Sequence, residues 1–264
     1  MGLTGETNRY TVDNLMRVCD SLAVVGSMQF GISGPLDCHV YAVRGREAAV
    51  LIDSGSGTHT VQLLRNLGRD FPGLPVSALL ITHCHADHCG GAAGLRTKTG
   101  CRVLTPLSTR AALETGDEEM SGLRVAREQG VYPPDFRLQP CQVDMTVEDG
   151  QKFSEAGVEF TAIHVRGHSR DAHCYLARAG GRTWLFSGDV VFYGGVLGLI
   201  NADGSGMEGY RADIDKLAGL GVEGLFPGHG LFTLCGGQRH LDAAIAQCRQ
   251  GFIGRQIGQG DLIF

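Results

Sequence analysis

The chain of 264 residues reads as an α/β fold in one domain. Three observations lead there. Short apolar runs rich in Val, Ile, Leu and Ala alternate with stretches whose apolar residues fall at helical spacing. Hydrophobic residues make up 43% of the chain, which is material for a real core. Segments 49–55 and 183–189 echo each other: both are apolar strands ending in small and acidic residues, each preceded by another strand and followed by a glycine-rich loop and a helix. The echo suggests two similar halves packed as one unit, so residues 1–264 are taken as a single domain.

The elements follow in order. Residues 22–26, 37–43 and 47–53 are the opening strands, the last ended by Ser54, Gly55, Ser56 and Gly57. Val61, Leu64 and Leu67 then fall at helical spacing, with Phe71 closing the stripe, and Pro72 and Pro75 break that helix. Residues 76–82 form a buried strand, too short and too β-prone for a buried helix. A histidine-rich loop follows. Residues 92–99 read as a short helix and 101–104 as a strand. Residues 107–137 are read as helical pieces in an excursion from the core, with an acidic cluster at Glu114, Asp117, Glu118 and Glu119 and the pair Pro133 and Pro134. Two readings stand for it, a solvated surface insert and an active-site lid with Tyr132 and Phe136 as its apolar contacts. Strands return at 158–165, 174–177 and 183–186. Residues 207–220 carry Tyr210, Ile214 and Leu217 at helical spacing. Leu225 and Phe226 end a short strand, and 238–250 is a last amphipathic helix with Leu241, Ala244, Ile245 and Cys248 on one face.

Composition removes several classes of function. Charged residues are 19%, the net charge is −5, and no basic stripe appears, so a nucleic-acid partner is not supported. No apolar run approaches the ~18 residues needed to span a membrane. Residues 1–10 are polar and lack the apolar core of a signal peptide. The nine cysteines sit in apolar or loop contexts, and with that polar start they favour reduced thiols in a cytoplasmic protein. The 40 glycines, about twice the usual ~7% share, follow no period, which excludes collagen and implies many tight loops.

Chemistry concentrates in His83, Cys84, His85, Ala86, Asp87 and His88, where four potential metal ligands fall within six residues. In an extended loop, residues two apart point the same way, so His83 and His85 can bind one ion. Asp87 and His88 then turn toward a second position. Imidazole and carboxylate suit zinc, iron or manganese in hydrolytic sites. Cys84, lying between two of these residues, should point away as a small buried filler. Asp53 ends a buried strand, either supporting the metal loops or capping a turn. His164 is read as a packing or pocket-lining residue. Tyr193 could reach a substrate oxygen or be a buried aromatic.

The hexapeptide resembles the H-x-H-x-D-H motif of the metallo-β-lactamase-fold hydrolase superfamily. Other elements of that family follow in its order: Leu51 to Gly55 resembles its early D-T/S-G segment, Gly167-His168-Ser169 its G-H-T/S, Ser187-Gly188-Asp189 its G-D, and Pro227-Gly228-His229 its P-G-H. The resemblance implies a four-layer αββα sandwich with the metals at one end. It implies two divalent ions, zinc foremost with iron or manganese as alternatives. His83, His85 and His168 would hold the first, Asp87, His88 and His229 the second, and Asp189 would bridge them. Asp87 doubles as the catalytic carboxylate, and the matching role of Asp53 is to support the metal loops.

An aspartate at 189, where β-lactamases of this superfamily usually carry Cys or Ser, favours the glyoxalase II and lactonase-like branch. Arg239, Arg249 and Arg255 near the C-terminus suggest the glutathione site of that branch. The implied activity is hydrolysis of a small activated ester, thioester or lactone by a metal-bridging hydroxide. The alternative is an iron-dependent persulfide dioxygenase, since the hexapeptide also resembles theirs. The expected partner is a small-molecule substrate, with no nucleic acid and no membrane, and a homo-oligomer is left open.

Overall fold

The structure, a computed structural model, describes residues 16–250. The polar start at 1–10 and Arg255 lie outside them. The first sheet has seven strands side by side in chain order: β1 Arg17–Cys19, β2 Leu22–Gly26, β3 Val40–Arg44, β4 Ala49–Ile52, β5 Val76–Leu80, β6 Arg102–Pro106 and β7 Met145–Val147. Pairing is antiparallel from β1 to β4 and parallel from β4 to β7. The second sheet holds β8 Lys152–Glu155, β9 Val158–His164, β10 His173–Ala179, β11 Arg182–Gly188 and β12 Gly224–Pro227, in the order β12-β11-β10-β9-β8. Only β11 and β12 run parallel there. The helices are α1 Thr60–Asp70, α2 Ala86–Cys89, α3 Ala92–Thr99, α4 Arg110–Thr115, α5 Leu123–Glu128, α6 Met207–Asp213 and α7 Gln238–Arg249.

The strands read as unbroken apolar runs because both faces of each sheet are covered. Along β2, Leu22 and Val24 point between the sheets, while Ala23 and Val25 point outward to Leu63 and Leu67 of α1. Along β10, Tyr175 and Ala177 join the inner layer, and Cys174 and Leu176 face Tyr210, Leu241 and Ile245. Three apolar layers separate four structural ones, so the fold is an αββα sandwich. Among the described residues, no helix is long and apolar enough to cross a membrane.

Several local expectations needed correction. On α1 the buried face is Thr60, Leu63, Asn66, Leu67 and Asp70, and Val61 is 48% exposed. The polar Asn66 belongs inside because its Nδ2 donates to the carbonyls of Val25 and Ile32, at 2.9 and 2.8 Å. The stretch 207–220 breaks after Asp213 into a 3-10 turn at Ile214–Leu217. The strands β1, β7 and β8 were not anticipated. The excursion extends past 137, with the chain rejoining the sheet only at Met145.

The inner layer should carry most of the stability. Phe226 packs there against Tyr41, Phe186 and Trp184, with ring centroids 5.4–5.9 Å apart. Phe226→Ala is expected to cost about 3–5 kcal/mol in urea unfolding, as buried aromatic truncations do. A loss under about 1 kcal/mol would show that the layer between the sheets is not the main core.

Candidate metal centre

The loops that follow β4, β5, β9, β11 and β12 meet at one end of the sandwich. After β5 the chain stays extended, with Thr82 pinned by its backbone N–H to Asp53 Oδ1 at 2.8 Å. His83 and His85 therefore share a side. His85, in extended conformation, then starts the single turn α2, whose His88 and Cys89 N–H groups donate to the His85 carbonyl. That turn swings Asp87 and His88 to a second position.

The structure brings all seven sequence-derived residues together. His83 Nε2, His85 Nδ1 and His168 Nε2 form one group, with separations of 2.9–3.2 Å. Asp87, His88 and His229 form a second: Asp87 Oδ2 lies 3.0 Å from His229 Nε2 and 3.3 Å from His88 Nε2. Asp189 lies between them, Oδ1 3.3 Å from His88 Nε2 and Oδ2 3.5 Å from His229 Nε2 and 3.7 Å from His168 Nε2. Within each group the candidate ligand atoms lie within 4.8 Å of one another, as they do for His83, His88 and Asp189.

The outward ring nitrogens are occupied by protein oxygens. His83 Nδ1 meets Thr82 Oγ1 at 2.9 Å, His88 Nδ1 donates to Asp53 Oδ2 at 2.8 Å, and His168 Nδ1 donates to the Gly198 carbonyl at 2.6 Å. This fixes the tautomers so that the inner nitrogens present lone pairs. His88 Nε2 and Asp189 Oδ1 are buried and have no hydrogen-bond partner. Buried lone pairs without donors, converging from nitrogen and carboxylate, suit divalent cations. Gly228 keeps the space open, since a Cβ there would lie 2.3 Å from Asp189 Oδ1 and 2.5 Å from His88 Cε1. Gly167 is needed beside His168: its φ is +135°, and a Cβ would strike the Tyr210 ring at 2.2 Å.

The two groups differ in charge. Burial drives His83 well below the usual imidazole range, and repulsion from His88, His85 and His168 adds to it. Burial also lowers His168 and takes His85 down to about 4. Those three rings are neutral donors. In the second group burial opposes charge on every member, yet attraction wins. Cys38, Asp87, Asp189 and Asp53 raise His88, and Asp189 and Asp87 raise His229. In turn, His88 and His229 hold Asp87 and Asp189 below the usual carboxylate range. This half of the cluster calls for positive charge.

Asp53 both supports the loops and ends its strand, so the two readings merge. It adopts φ +61°, an unusual conformation that aspartate tolerates. Its carboxylate takes Thr82 and His88 at once. Tyr193 packs at a tilt against His240 of α7, centroids 4.3 Å apart, and is 40% exposed, so it is not the buried aromatic that one reading expected. His164 stacks on His173 at 4.6 Å and meets the Arg170 carbonyl, a packing role. Cys84 turns away from the cluster and donates its Sγ–H to the Met120 carbonyl. All nine cysteines are free thiols. The excursion packs beside the loop: Leu123, Tyr132 and Leu138 join the core layer, the Tyr132 and Phe136 rings lie 4.8 Å apart, and the acidic residues pair internally, Glu118 with Arg127 and Glu119 with Arg124.

Sequence reading missed two supports. Asp171 accepts the Cys84 N–H from below the loop. His39 clamps the His229 segment: its backbone N–H donates to the Gly228 carbonyl at 2.7 Å, and its Nε2 meets the Gly230 carbonyl at 2.8 Å. Its Nδ1 meets Ser27 Oγ at 2.9 Å, and its ring stacks on Phe30. Both residues precede or follow motif positions, but only the three-dimensional path of the loops shows what they touch. Burial lowers His39 to about 4 from 6.5, so it folds neutral while the unfolded chain takes up the proton first. Stability of the chelator-treated protein should therefore fall as pH drops from about 6.5 toward 4, by at most about 1.4 kcal/mol per pH unit for this group. His39→Gln should flatten that part of the urea-midpoint profile. An identical profile would mean that His39 is not the titrating group.

The chain matches the metallo-β-lactamase superfamily over residues 33–229. It is 30% identical over 211 residues to an uncharacterized protein of Mycobacterium tuberculosis, covering 78% of this chain and 91% of that one. It is 29% identical over 221 residues to the acyl-coenzyme A thioesterase MBLAC2 of Homo sapiens, covering 76% and 75%. A metallo-β-lactamase structure from Cronobacter sakazakii superposes with a TM-score of 0.66 over 87% of this chain and 88% of that one, at 21% identity. With the sandwich, the ordered motifs and the match across residues 33–229 in agreement, the chain belongs to the metallo-β-lactamase superfamily.

Proposed function

We propose that the protein is a dinuclear metal-dependent hydrolase of a small activated ester, with thioesters the first class to test. The observation that carries this reading is the position of Asp189, whose two oxygens reach toward both three-residue groups. His83, His85 and His168 would hold one ion, and Asp87, His88 and His229 the other. Zinc, iron or manganese in such a pair supplies Lewis acidity toward a carbonyl and a water ionised near neutral pH.

The chain's own residues do the rest. Thr82, Asp53 and Gly198 hold three imidazoles in the tautomer that faces inward. Asp87, kept ionised by its neighbours, serves as an acceptor at Oδ2 and not as a proton store at neutral pH. The cluster opens to solvent on one side: the Asp87 side chain is 23% exposed and that of His229 11%, while that of His88 is sealed. Substrate must approach from that side, and the buried side excludes water. The similarity to an acyl-coenzyme A thioesterase supports the thioester class. The full second group of Asp87, His88 and His229 favours two ions over the single iron of a persulfide dioxygenase.

Zinc-loaded protein should release free thiol from a medium-chain acyl-coenzyme A, lose that activity to a chelator and regain it with zinc, with two ions per chain by elemental analysis. One iron per chain with oxygen uptake on a persulfide would replace this reading with the oxygenase. Asp189→Ala should lower metal content, chiefly of the second ion, and cut kcat by at least about 100-fold. Two retained ions and a near-normal rate would place the bridge elsewhere.

A further inference from the structure

We propose that Asp171 is a positioning residue that ties the loop between His83 and His85 to both the His168 segment and the base of the 107–137 excursion. The idea rests on reading the cluster as a metal centre. Asp171 is 4% exposed. Its Oδ2 accepts the Cys84 backbone N–H at 2.9 Å and the Thr109 hydroxyl at 2.6 Å, and its Oδ1 accepts the Ser169 hydroxyl at 2.7 Å. These three donors come from segments far apart in the chain. Cys84 lies between two ring donors of the first group, Ser169 follows the third, and Thr109 begins α4. One carboxylate therefore joins both strand-end loops that supply the first group to the segment that packs beside the His83–His85 loop.

All three donors are neutral. A buried carboxylate served only by neutral donors is costly to desolvate. What it provides in return is geometric. The Cys84 peptide sets the direction of the side chains before and after it, and a small rotation there would separate His83 Nε2 from His85 Nδ1. Asp171 makes no hydrogen bond or ion pair with a ring nitrogen of the first group, so beyond a through-space attraction for the His85 ring it acts through the backbone and hydroxyls it holds.

The test measures zinc affinity by competition with a chromogenic chelator, beside thermal unfolding of the chelated protein. Asp171→Ala should weaken zinc binding about 10–100-fold, the usual cost of losing an outer support. Asp171→Asn keeps an acceptor for Cys84 and Thr109 and can donate to the Ser169 oxygen, so it should stay within about 3-fold of the parent. Thr109→Val should leave zinc affinity near normal while hydrogen exchange across 110–128 accelerates. If Asp171→Ala does not fold, the Thr109→Val/Ser169→Ala double variant removes two of the three donors and should lose about 10-fold in zinc affinity. Unchanged affinity in a folded Asp171→Ala, with only a lower melting temperature, would overturn the proposal and leave a purely structural carboxylate. A parent protein that binds no zinc would overturn the metal-centre reading itself, and this proposal with it.

Discussion

The His88 ring is sealed from solvent, and carboxylates reach it from both sheets. Asp53, at the end of β4, accepts a hydrogen bond from its Nδ1 at 2.8 Å. Asp189, at the end of β11, faces its Nε2 at 3.3 Å. Strands β4 and β11 belong to opposite sheets. The spacing of the sheets is therefore set at this end by a ring and two carboxylates as well as by the aromatic layer behind them. Any change in sheet packing moves Asp53 and Asp189 relative to His88, and any change at His88 is felt by both sheets. The inner layer of Tyr41, Trp184, Phe186 and Phe226 is what makes that distance rigid, because a close-packed interior transmits displacement and does not absorb it.

The cluster is also an electrostatic arrangement with two unlike halves. Three neutral rings meet on one side, and on the other carboxylates meet two rings whose affinity for a proton they raise. Gathering so many titratable groups in a buried place is unfavourable for folding by itself. The supports are arranged to contain that cost. Each outward nitrogen of His83, His88 and His168 has an oxygen partner, and the loops carrying them are tied by backbone bonds such as those from Thr82, Cys84 and His39. Much of the polar network around the site serves to hold its geometry.

Much of this was legible in the sequence. The residues of the cluster and their order stood in His83 to His88 and the later glycine-flanked histidines, the apolar runs marked most of the strands, and the αββα layering came from the resemblance to the superfamily. The echo between 49–55 and 183–189 has a concrete meaning: the aspartates that end these strands face the two nitrogens of one ring. What escaped has physical reasons. The strands β1, β7 and β8 are only three or four residues long and partly exposed, so they lack a periodic signal. On α1, Asn66 takes a core-facing position because of two distant carbonyls that no local pattern reveals. His39 and Asp171 carry no motif, and their importance lies in which backbone atoms the folded loops present to them.

The excursion is a segment set apart from the cluster that it borders. It supplies no member of either group, yet its Met120 carbonyl accepts the Cys84 thiol and Gly122 passes beside His85. Its acidic residues pair with its own arginines, so its charge is spent internally and does not disturb the cluster. The other side of the opening is bounded by different chain, where His39 braces the His229 segment and Gln29 accepts the Gly230 N–H. The two sides of the opening thus rest on independent segments. Substitutions on the outer surface of 107–137 can reshape one wall near His85 while the loops that carry the cluster, held by Asp53 and Asp171, keep their positions.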